Sequence, residues 1–161
     1  MSDVALVYGA RDVEVTRRET LFQGYFRMDA MTLKHRRFDG SWTEGIRREM
    51  FERGDAVAVL PWDVERDQVI LIEQFRPGAI RGDESPWMLE AVAGVVEPGE
   101  SDDAVAHREA LEEAGCTMDA LLPVVSYYPS PGACSEQIRL FLGRVTSAAV
   151  GEVRGLDTEH E

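Results

Sequence analysis

One helical segment stands in a chain that is otherwise patterned as strands, and this combination limits the possible folds. The helix is predicted over residues 101–114, where Ser101 is a favoured N-cap residue. Asp102 and Asp103 place negative charge at the positive end of the helix dipole. Gly115 can adopt the left-handed conformation that commonly ends a helix. The pattern predicts an α/β protein of the mixed α+β type, in which strands dominate.

Alternating or compact apolar runs predict the strands on both sides of this helix. Residues 13–51 alternate, with 21–33 as one run, and Asp39-Gly40 is a strong hairpin signal, so we expect an antiparallel N-terminal sheet. The apolar runs 56–60 and 69–75 predict central strands. Further strands are expected at 87–92, 124–128 and 138–145.

Length and charge exclude several classes of partner. The chain has 161 residues, enough to bury one core without disulfides. Its net charge of −13 does not suit a phosphate backbone, so no nucleic acid partner is expected. Because no apolar run reaches the roughly 18 residues that cross a bilayer, we expect no membrane partner and a cytoplasmic location.

Cys116 and Cys134 lack metal-binding spacing and are expected to be reduced core or loop residues.

Three carboxylates share one side of the predicted helix. Glu109, Glu112 and Glu113 stand at i, i+3 and i+4, within about 100° of the helix circumference. Like charges at these spacings destabilise a helix by a few tenths of a kcal/mol per pair, so a functional reason for them is expected. The opposite side is the expected packed side, with Ala104, Ala110, Leu111 and Ala114.

Two interpretations of these acids are open from the residues alone. A hard divalent cation takes oxygen ligands and commonly bridges carboxylates to substrate phosphates. Alternatively, the acids form a solvated face on which Arg108 pairs with Glu112. The residues around the helix favour the first interpretation.

The spacing around the helix is that of a catalytic motif. From Gly94 the chain runs through five residues to Glu100, and through seven more to residues 108–116, REALEEAGC. Every fixed position of the Nudix box, G-x5-E-x7-R-E-U-x-E-E-x-G-U with U apolar, is filled. A chance match over the whole chain has a probability of about 10⁻⁶ at average residue frequencies. The chain therefore resembles the Nudix hydrolase family.

This resemblance implies a fold and a metal. The Nudix fold is a mixed β-sheet sandwiched with helices, here preceded by the N-terminal antiparallel sheet. Mg²⁺, with Mn²⁺ as a possible substitute, would be held by Glu109, Glu112, Glu113 and the backbone carbonyl of Ala93.

The remaining residues of the box would support that metal site. By resemblance, Arg108 and Glu112 are counted among the catalytic residues, and Arg108 and Glu100 orient the metal-binding carboxylates. Gly94 and Gly99 are expected to let the backbone turn tightly before the helix.

Segments outside the box are similar to the ADP-ribose pyrophosphatase branch of this family. Pro131 stands sixteen residues beyond Gly115, at the position of a proline that marks the branch. The runs RRE at 47–49 and EQFR at 73–76, and parts of 18–26, are also similar to it. The expected reaction is Mg²⁺-dependent hydrolysis of ADP-ribose to AMP and ribose 5-phosphate.

The same resemblance assigns residues that contact the substrate. Tyr25 would stack on adenine, and Arg48 and Arg76 would contact the diphosphate or the terminal ribose. Glu136 would assist substrate or metal binding. Other interpretations stay open for these residues: surface salt bridges for the arginines, a core-facing strand position for Tyr25, and a solvated turn for Glu136.

The general base of this branch is a glutamate on a mobile loop outside the box. Residues 155–161 resemble that loop, with Glu159 as the base and Glu161 as a nearby helper. A disordered acidic tail is the alternative interpretation of the same segment.

The resemblance also implies a division of the chain. Residues 1–52 would form a sheet that serves dimerisation and the adenine site, exchanged across a homodimer. Residues 53–161 would form the catalytic domain, without the strand and helix with which its relatives end.

Two other functions are left open. A Nudix hydrolase for another nucleoside diphosphate sugar, such as GDP-mannose or ADP-glucose, would carry the same box. A catalytically silent Nudix module would bind a nucleotide without cleaving it, although such a module has no need of the complete acidic set.

Overall fold

A computed structural model describes residues 6–148 of the chain. The strands are β1 (Val13–Gln23), β2 (Arg27–His35), β3 (Ile46–Glu52), β4 (Ala56–Asp63), β5 (Gln68–Val69), β6 (Ile72–Phe75), β7 (Trp87–Glu90), β8 (Val92–Val95), β9 (Cys116–Tyr127) and β10 (Ile138–Ala148). The helix α1 spans Asp102–Ala114, and short 3-10 turns occur at Ala10–Asp12 and Pro77–Ala79. These elements form two compact units. The first unit contains the chain up to Arg53 and the segment Ser130–Glu136. The second unit contains Gly54–Pro129 and the chain from Gln137 onwards.

The first unit contains an antiparallel sheet with the strand order β1-β2-β3. The β2–β3 hairpin closes at Asp39-Gly40, where Gly40 has a φ of +83° and donates its N–H to the Arg37 carbonyl at 2.9 Å. That backbone conformation favours glycine. The predicted antiparallel N-terminal sheet and its hairpin are therefore confirmed.

One predicted strand of this sheet is in fact two. The run 21–33 bends at residues 24–26, where the Gly24 N–H donates to the Phe26 carbonyl at 2.9 Å. A Cβ at position 24 would lie 2.8 Å from the Phe22 ring. The glycine therefore allows the ring to fold over the bend that separates β1 from β2.

The segment Ser130–Glu136 joins the first unit by pairing with the end of β3. Cys134 forms a parallel bridge with Phe51, and the Ser135 hydroxyl donates to a Glu52 carboxylate oxygen at 2.6 Å. These last two residues are 83 positions apart in the chain. No local sequence pattern predicts such a contact.

The second unit is built on a mixed five-stranded sheet. Its order is β5-β4-β10-β9, with β8 also paired to β4. Strands β4 and β10 are parallel, and the other pairs are antiparallel. Strands β6 and β7 form a separate antiparallel ribbon. The predicted mixed α+β class is confirmed.

A buried apolar cluster lies between α1 and the sheet. It comprises Val57, Val59, Val92, Val105, Ala106, Ala110, Ala114, Cys116, Met118 and Phe141. The prediction of the packed helix side is confirmed for Ala110 and Ala114, which are buried. It is wrong for Ala104 and Leu111, which are exposed, and Leu111 has 58 % of its surface exposed. Residues 106, 110 and 114 form one i, i+4 row, and Leu111 lies off that row.

Three other strand predictions need correction. The run 69–75 is not one central strand, because β5 ends at Val69 and β6 starts at Ile72 and pairs with β7 instead. The run 87–92 is divided between β7 and β8. Of the run 124–128, residues 124–127 are only the end of β9, which already starts at Cys116. Within residues 6–148, no helix is long and apolar enough to cross a membrane.

Phe141 gives a test of this core. Phe141→Ala is expected to lower the free energy of unfolding by about 3–5 kcal/mol, because it removes buried area and leaves a cavity between α1 and the sheet. Urea denaturation followed by circular dichroism measures the change. The exposed Phe38→Ala is the matched control and should change stability by less than about 1 kcal/mol. Equal losses in the two variants would contradict the described core.

Candidate active site

Helix α1 is capped at both of its ends, and one ion pair joins its first turn to the sheet. The Ser101 side chain accepts a hydrogen bond from the Ala104 N–H at 3.3 Å, and Arg139 of β10 lies 2.8 Å from a carboxylate oxygen of Asp102. At the other end, Gly115 has a φ of +59° and donates to the Leu111 carbonyl at 3.1 Å. The predicted N-cap and left-handed C-terminal glycine are confirmed.

Two glutamates, one helical turn apart, face the backbone of β8. The Ala93 N–H donates to Glu113 Oε2 at 3.2 Å. A Cβ at Gly94 would lie 1.7 Å from Glu109 Oε1, so glycine allows this carboxylate to lie against the strand. Gly94 lies inside β8 and not in a tight turn. The predicted reason for Gly94, a tight turn, is therefore wrong. The glycine is needed because the Glu109 carboxylate lies close to the backbone of β8.

Arg108 connects the carboxylates of the box. Its Nε and Nη2 donate to the two carboxylate oxygens of Glu100, each at 3.2 Å. Its Nη1 lies 2.7 Å from Glu109 Oε1 and 3.3 Å from Glu112 Oε2. The positive Arg108 guanidinium therefore lies among three negative carboxylates.

The same contacts shift two protonation equilibria. The hydrogen bond from Arg108, followed by that from the Glu97 N–H, lowers the pKa of the Glu100 carboxyl below its usual value. In return, hydrogen bonding to Glu100 and the nearby charge of Glu109 raise the pKa of Arg108. Both groups are therefore charged at neutral pH.

A second chain of contacts starts at Glu113 and ends on the β6–β7 ribbon. Gln74 Nε2 donates to Glu113 Oε1 at 3.0 Å, and Gln74 Oε1 accepts a hydrogen bond from Arg76 Nη2. Arg76 also donates to Glu90 through Nε at 3.0 Å and Nη2 at 2.8 Å. The structure thus connects Arg76 to the acidic helix through Gln74.

Sequence reasoning missed Gln74 and Glu90. A signal for Gln74 was present, because alternation along a strand places residues 74 and 76 on one face. Glu90 gave no such signal. Its position opposite Ile72 depends on the register of β6 and β7, which the sequence does not specify.

The acidic side chains of α1 match the ligand type of a hard divalent cation. Glu109, Glu112 and Glu113 supply only oxygen donors, the type that Mg²⁺ and Mn²⁺ prefer, and Gly94 leaves room for one of them against β8. In residues 6–148, no three acidic, histidine or cysteine side chains converge into a complete metal site. The donor set fits the ion in its chemistry, while Arg108 pairs with two of the same carboxylates.

Three predicted substrate residues belong to the first unit. Tyr25 lies in the bend between β1 and β2 and is 94 % exposed, so a core-facing strand position is wrong. Arg48 is exposed on β3, where its Nη1 donates to the Arg47 carbonyl. Glu136 is buried beside Arg53 at 3.2 Å, so it is not a solvated turn carboxylate. The predicted base and its helper, Glu159 and Glu161, lie outside the described residues.

Comparison with known proteins agrees with the arrangement around α1. A family model described as the NUDIX domain matches residues 52–161. The chain belongs to the Nudix family. The resemblance predicted from the box is thereby confirmed.

Nudix relatives match almost the whole chain. An ADP-ribose pyrophosphatase of Escherichia coli (strain K12) is 44 % identical over 159 residues, which cover 99 % of this chain and 76 % of the relative. One from Haemophilus influenzae is 40 % identical over 157 residues, covering 96 % of this chain and 72 % of the relative. A GDP-mannose pyrophosphatase of Cronobacter sakazakii is 32 % identical over 150 residues, covering 92 % and 78 %.

A solved structure supports the fold. The crystal structure of an ADP compounds hydrolase superposes with a TM-score of 0.66 at 22 % identity, covering 92 % of this chain and 73 % of that one. At this identity the likeness shows a shared fold.

Gly94 tests the approach of the Nudix helix to β8. Gly94→Ala is expected to lower turnover at least tenfold while the protein stays folded, because the new Cβ displaces the flexible Glu109 side chain from the strand. Gly78→Ala is the control, since a Cβ there meets no atom within 4 Å. Steady-state kinetics and thermal denaturation measure both variants. Full turnover in Gly94→Ala would show that Glu109 need not lie against β8.

Proposed function

We propose that this chain hydrolyses ADP-ribose to AMP and ribose 5-phosphate in a Mg²⁺-dependent reaction. The observation that carries the proposal is the pair Glu109 and Glu113, held against β8 within a complete Nudix box. The names of the relatives at 40–44 % identity support ADP-ribose as the substrate.

The box residues have distinct parts in the proposed reaction. Glu109, Glu112 and Glu113, with the Ala93 carbonyl, would hold Mg²⁺. When bound, the ion supplies polarisation of the phosphoryl oxygens and a lowered pKa for water. Arg108 orients Glu109 and Glu112 through its contacts with both carboxylates.

The net reaction adds one water across the diphosphate. The water oxygen bonds to a phosphorus atom, and the bond from that phosphorus to the bridging oxygen breaks. The two protons of the water pass to the product phosphates or to solvent. We assign Arg76 and Arg48 to the diphosphate or terminal ribose, because a guanidinium pairs well with phosphate oxygens. The exposure of the Tyr25 ring supports its stacking on adenine.

Several expectations from the sequence stay predictions. Glu159 as the general base and Glu161 as its helper are among them, as is the role of Glu136 toward substrate or metal. The cytoplasmic location also stays a prediction.

Product analysis with one matched pair of variants tests the proposal. The wild-type protein with Mg²⁺ and ADP-ribose should release AMP and ribose 5-phosphate, measured by chromatography. Glu113→Gln should lower kcat about 10³-fold, because the amide removes the charge that holds the metal. Asp103→Asn makes the same chemical change at an exposed position of α1 and should keep turnover within about twofold. No AMP from the wild type would end the proposal.

A second substrate has its own support. The relatives named GDP-mannose pyrophosphatase, at 32 % identity, favour another nucleoside diphosphate sugar as the alternative. Competition between ADP-ribose and GDP-mannose at equal concentration gives the ratio of their kcat/KM values. A ratio in favour of GDP-mannose would replace ADP-ribose in the proposal. Nucleotide binding that stabilises the protein without any product would indicate a silent module.

We further propose that the chain forms a homodimer through its N-terminal sheet, with that sheet exchanged between subunits. Contiguous apolar side chains that are exposed on a protein surface mark interaction sites. Large apolar residues are exposed in the first unit, among them Val13, Val15 and Phe22 of β1.

Light scattering coupled to size exclusion tests this association. The wild type should have the mass of a dimer, and Phe22→Glu should shift it toward the monomer, because a charge replaces an exposed apolar side chain. A wild type that stays monomeric at high concentration would contradict the dimer.

A further inference from the structure

We propose that Gln74 is a positioning residue that couples the metal-side carboxylate Glu113 to the phosphate-side guanidinium Arg76. This inference rests on the proposed function, because it names the residue that sets two of its groups in one geometry. The observation behind it is the uninterrupted contact chain from Glu113 through Gln74 and Arg76 to Glu90.

The orientation of the Gln74 amide follows from its contacts with Glu113 and Arg76. Its NH₂ group faces a carboxylate oxygen of Glu113, and its carbonyl oxygen faces the Arg76 guanidinium. In the flipped orientation, the carbonyl would face a carboxylate and the NH₂ group would face a cation, so both contacts would be repulsive. An amide therefore suits this position, because its NH₂ group donates to the carboxylate and its carbonyl oxygen accepts from the guanidinium.

Burial of Gln74 makes the loss of either hydrogen bond costly. Gln74 is only 6 % exposed, so water cannot readily replace a lost partner. Leaving a hydrogen bond of a buried amide unmade costs free energy, and this cost holds both partners in place. Hydrogen bonds that involve a charged partner are also stronger than those between neutral groups.

Glu113 is held at both of its oxygens. Gln74 Nε2 donates to Oε1 at 3.0 Å, and the Ala93 N–H donates to Oε2 at 3.2 Å. A glutamate side chain on a helix otherwise has three rotatable bonds. The two donors come from different strands, β6 and β8, and together they set the plane of this carboxylate.

Arg76 is held from the other side of the same amide. Glu90 accepts from its Nε and Nη2, and Gln74 accepts from its Nη2. Residues 72, 74 and 76 are two positions apart in turn, so their side chains lie on the same face of the β6–β7 ribbon. Glu90 is opposite Ile72 and therefore lies on that face as well. The orientation of Arg76 therefore depends on Gln74 as well as on Glu90.

This arrangement predicts that Arg76 influences metal binding at Glu113 even when no substrate is bound. A change at Arg76 should alter how Glu113 binds a metal, although neither side chain needs to touch the other. Residues that orient metal-binding side chains typically contribute 10–100-fold to metal affinity. A glutamine that only fills space in the core would give no such link between Arg76 and metal binding.

A double-mutant cycle on metal affinity tests the coupling. The four proteins are wild type, Gln74→Met, Arg76→Met and the double variant, and electron paramagnetic resonance of free Mn²⁺ gives the dissociation constant without substrate. Methionine is close to glutamine in volume and removes both hydrogen bonds. The loss of the Arg76 charge affects both backgrounds alike and cancels in the cycle.

The expected result is a clear interaction between the two sites. Gln74→Met should weaken Mn²⁺ binding about tenfold and raise the KM for ADP-ribose. The effect of Arg76→Met on Mn²⁺ affinity should be at least threefold more unfavourable in the wild-type background than in the Gln74→Met background. Gln68→Met, at an exposed glutamine of β5, should change none of these values by more than about twofold.

Equal effects of Arg76→Met in both backgrounds would overturn the inference, as would a wild type that binds no Mn²⁺. Should Gln74→Met fail to fold by circular dichroism, Gln74→Asn gives the same cycle, because its amide is one methylene too short to reach both partners. The Mn²⁺ measurements contain no substrate. They therefore decide the role of Gln74 even where the wild type cleaves a nucleotide other than ADP-ribose.

Discussion

The approach of two helical carboxylates to the backbone of a neighbouring strand is the contact on which the site depends. Glu113 accepts the Ala93 N–H, and Glu109 lies where a side chain on residue 94 would otherwise stand. The small buried residues of α1, Ala106, Ala110 and Ala114, allow this distance because they bring the helix close to the sheet. Burial of this row also sets the rotation of α1, so Glu109 and Glu113 face the strand.

Charge in this site is balanced locally, although the chain as a whole is strongly acidic. Arg108 contacts three carboxylates of the box, and Arg76 is paired with Glu90 and connected to Glu113 through Gln74. Like charges on one helix side destabilise the helix, so guanidinium groups among them reduce that cost. A bound divalent cation would add positive charge to the same oxygens. The site therefore uses arginines to hold a set of acids ready for a metal.

Sequence reasoning reached the features that depend on local residues. The N-cap Ser101, the terminal Gly115, the Asp39-Gly40 hairpin and the acids of the box could all be named, since each is set by residues within a few positions. Contacts that depend on strand register or on distant segments could not be predicted. The pairing of residues 130–136 with β3, the place of Glu90 opposite Ile72 and the division of run 69–75 are of this kind. The reason for Gly94 also needed the structure, because only the helix above it shows the close approach.

A crystal structure of the protein with Mg²⁺ and a non-hydrolysable ADP-ribose analogue is the most direct test of the central claim. Mg²⁺ is expected to bind oxygens of Glu109 and Glu113 beside β8, with the diphosphate of the analogue on the metal. Mg²⁺ and the diphosphate bound away from α1, with these glutamates in contact only with protein groups and water, would contradict it.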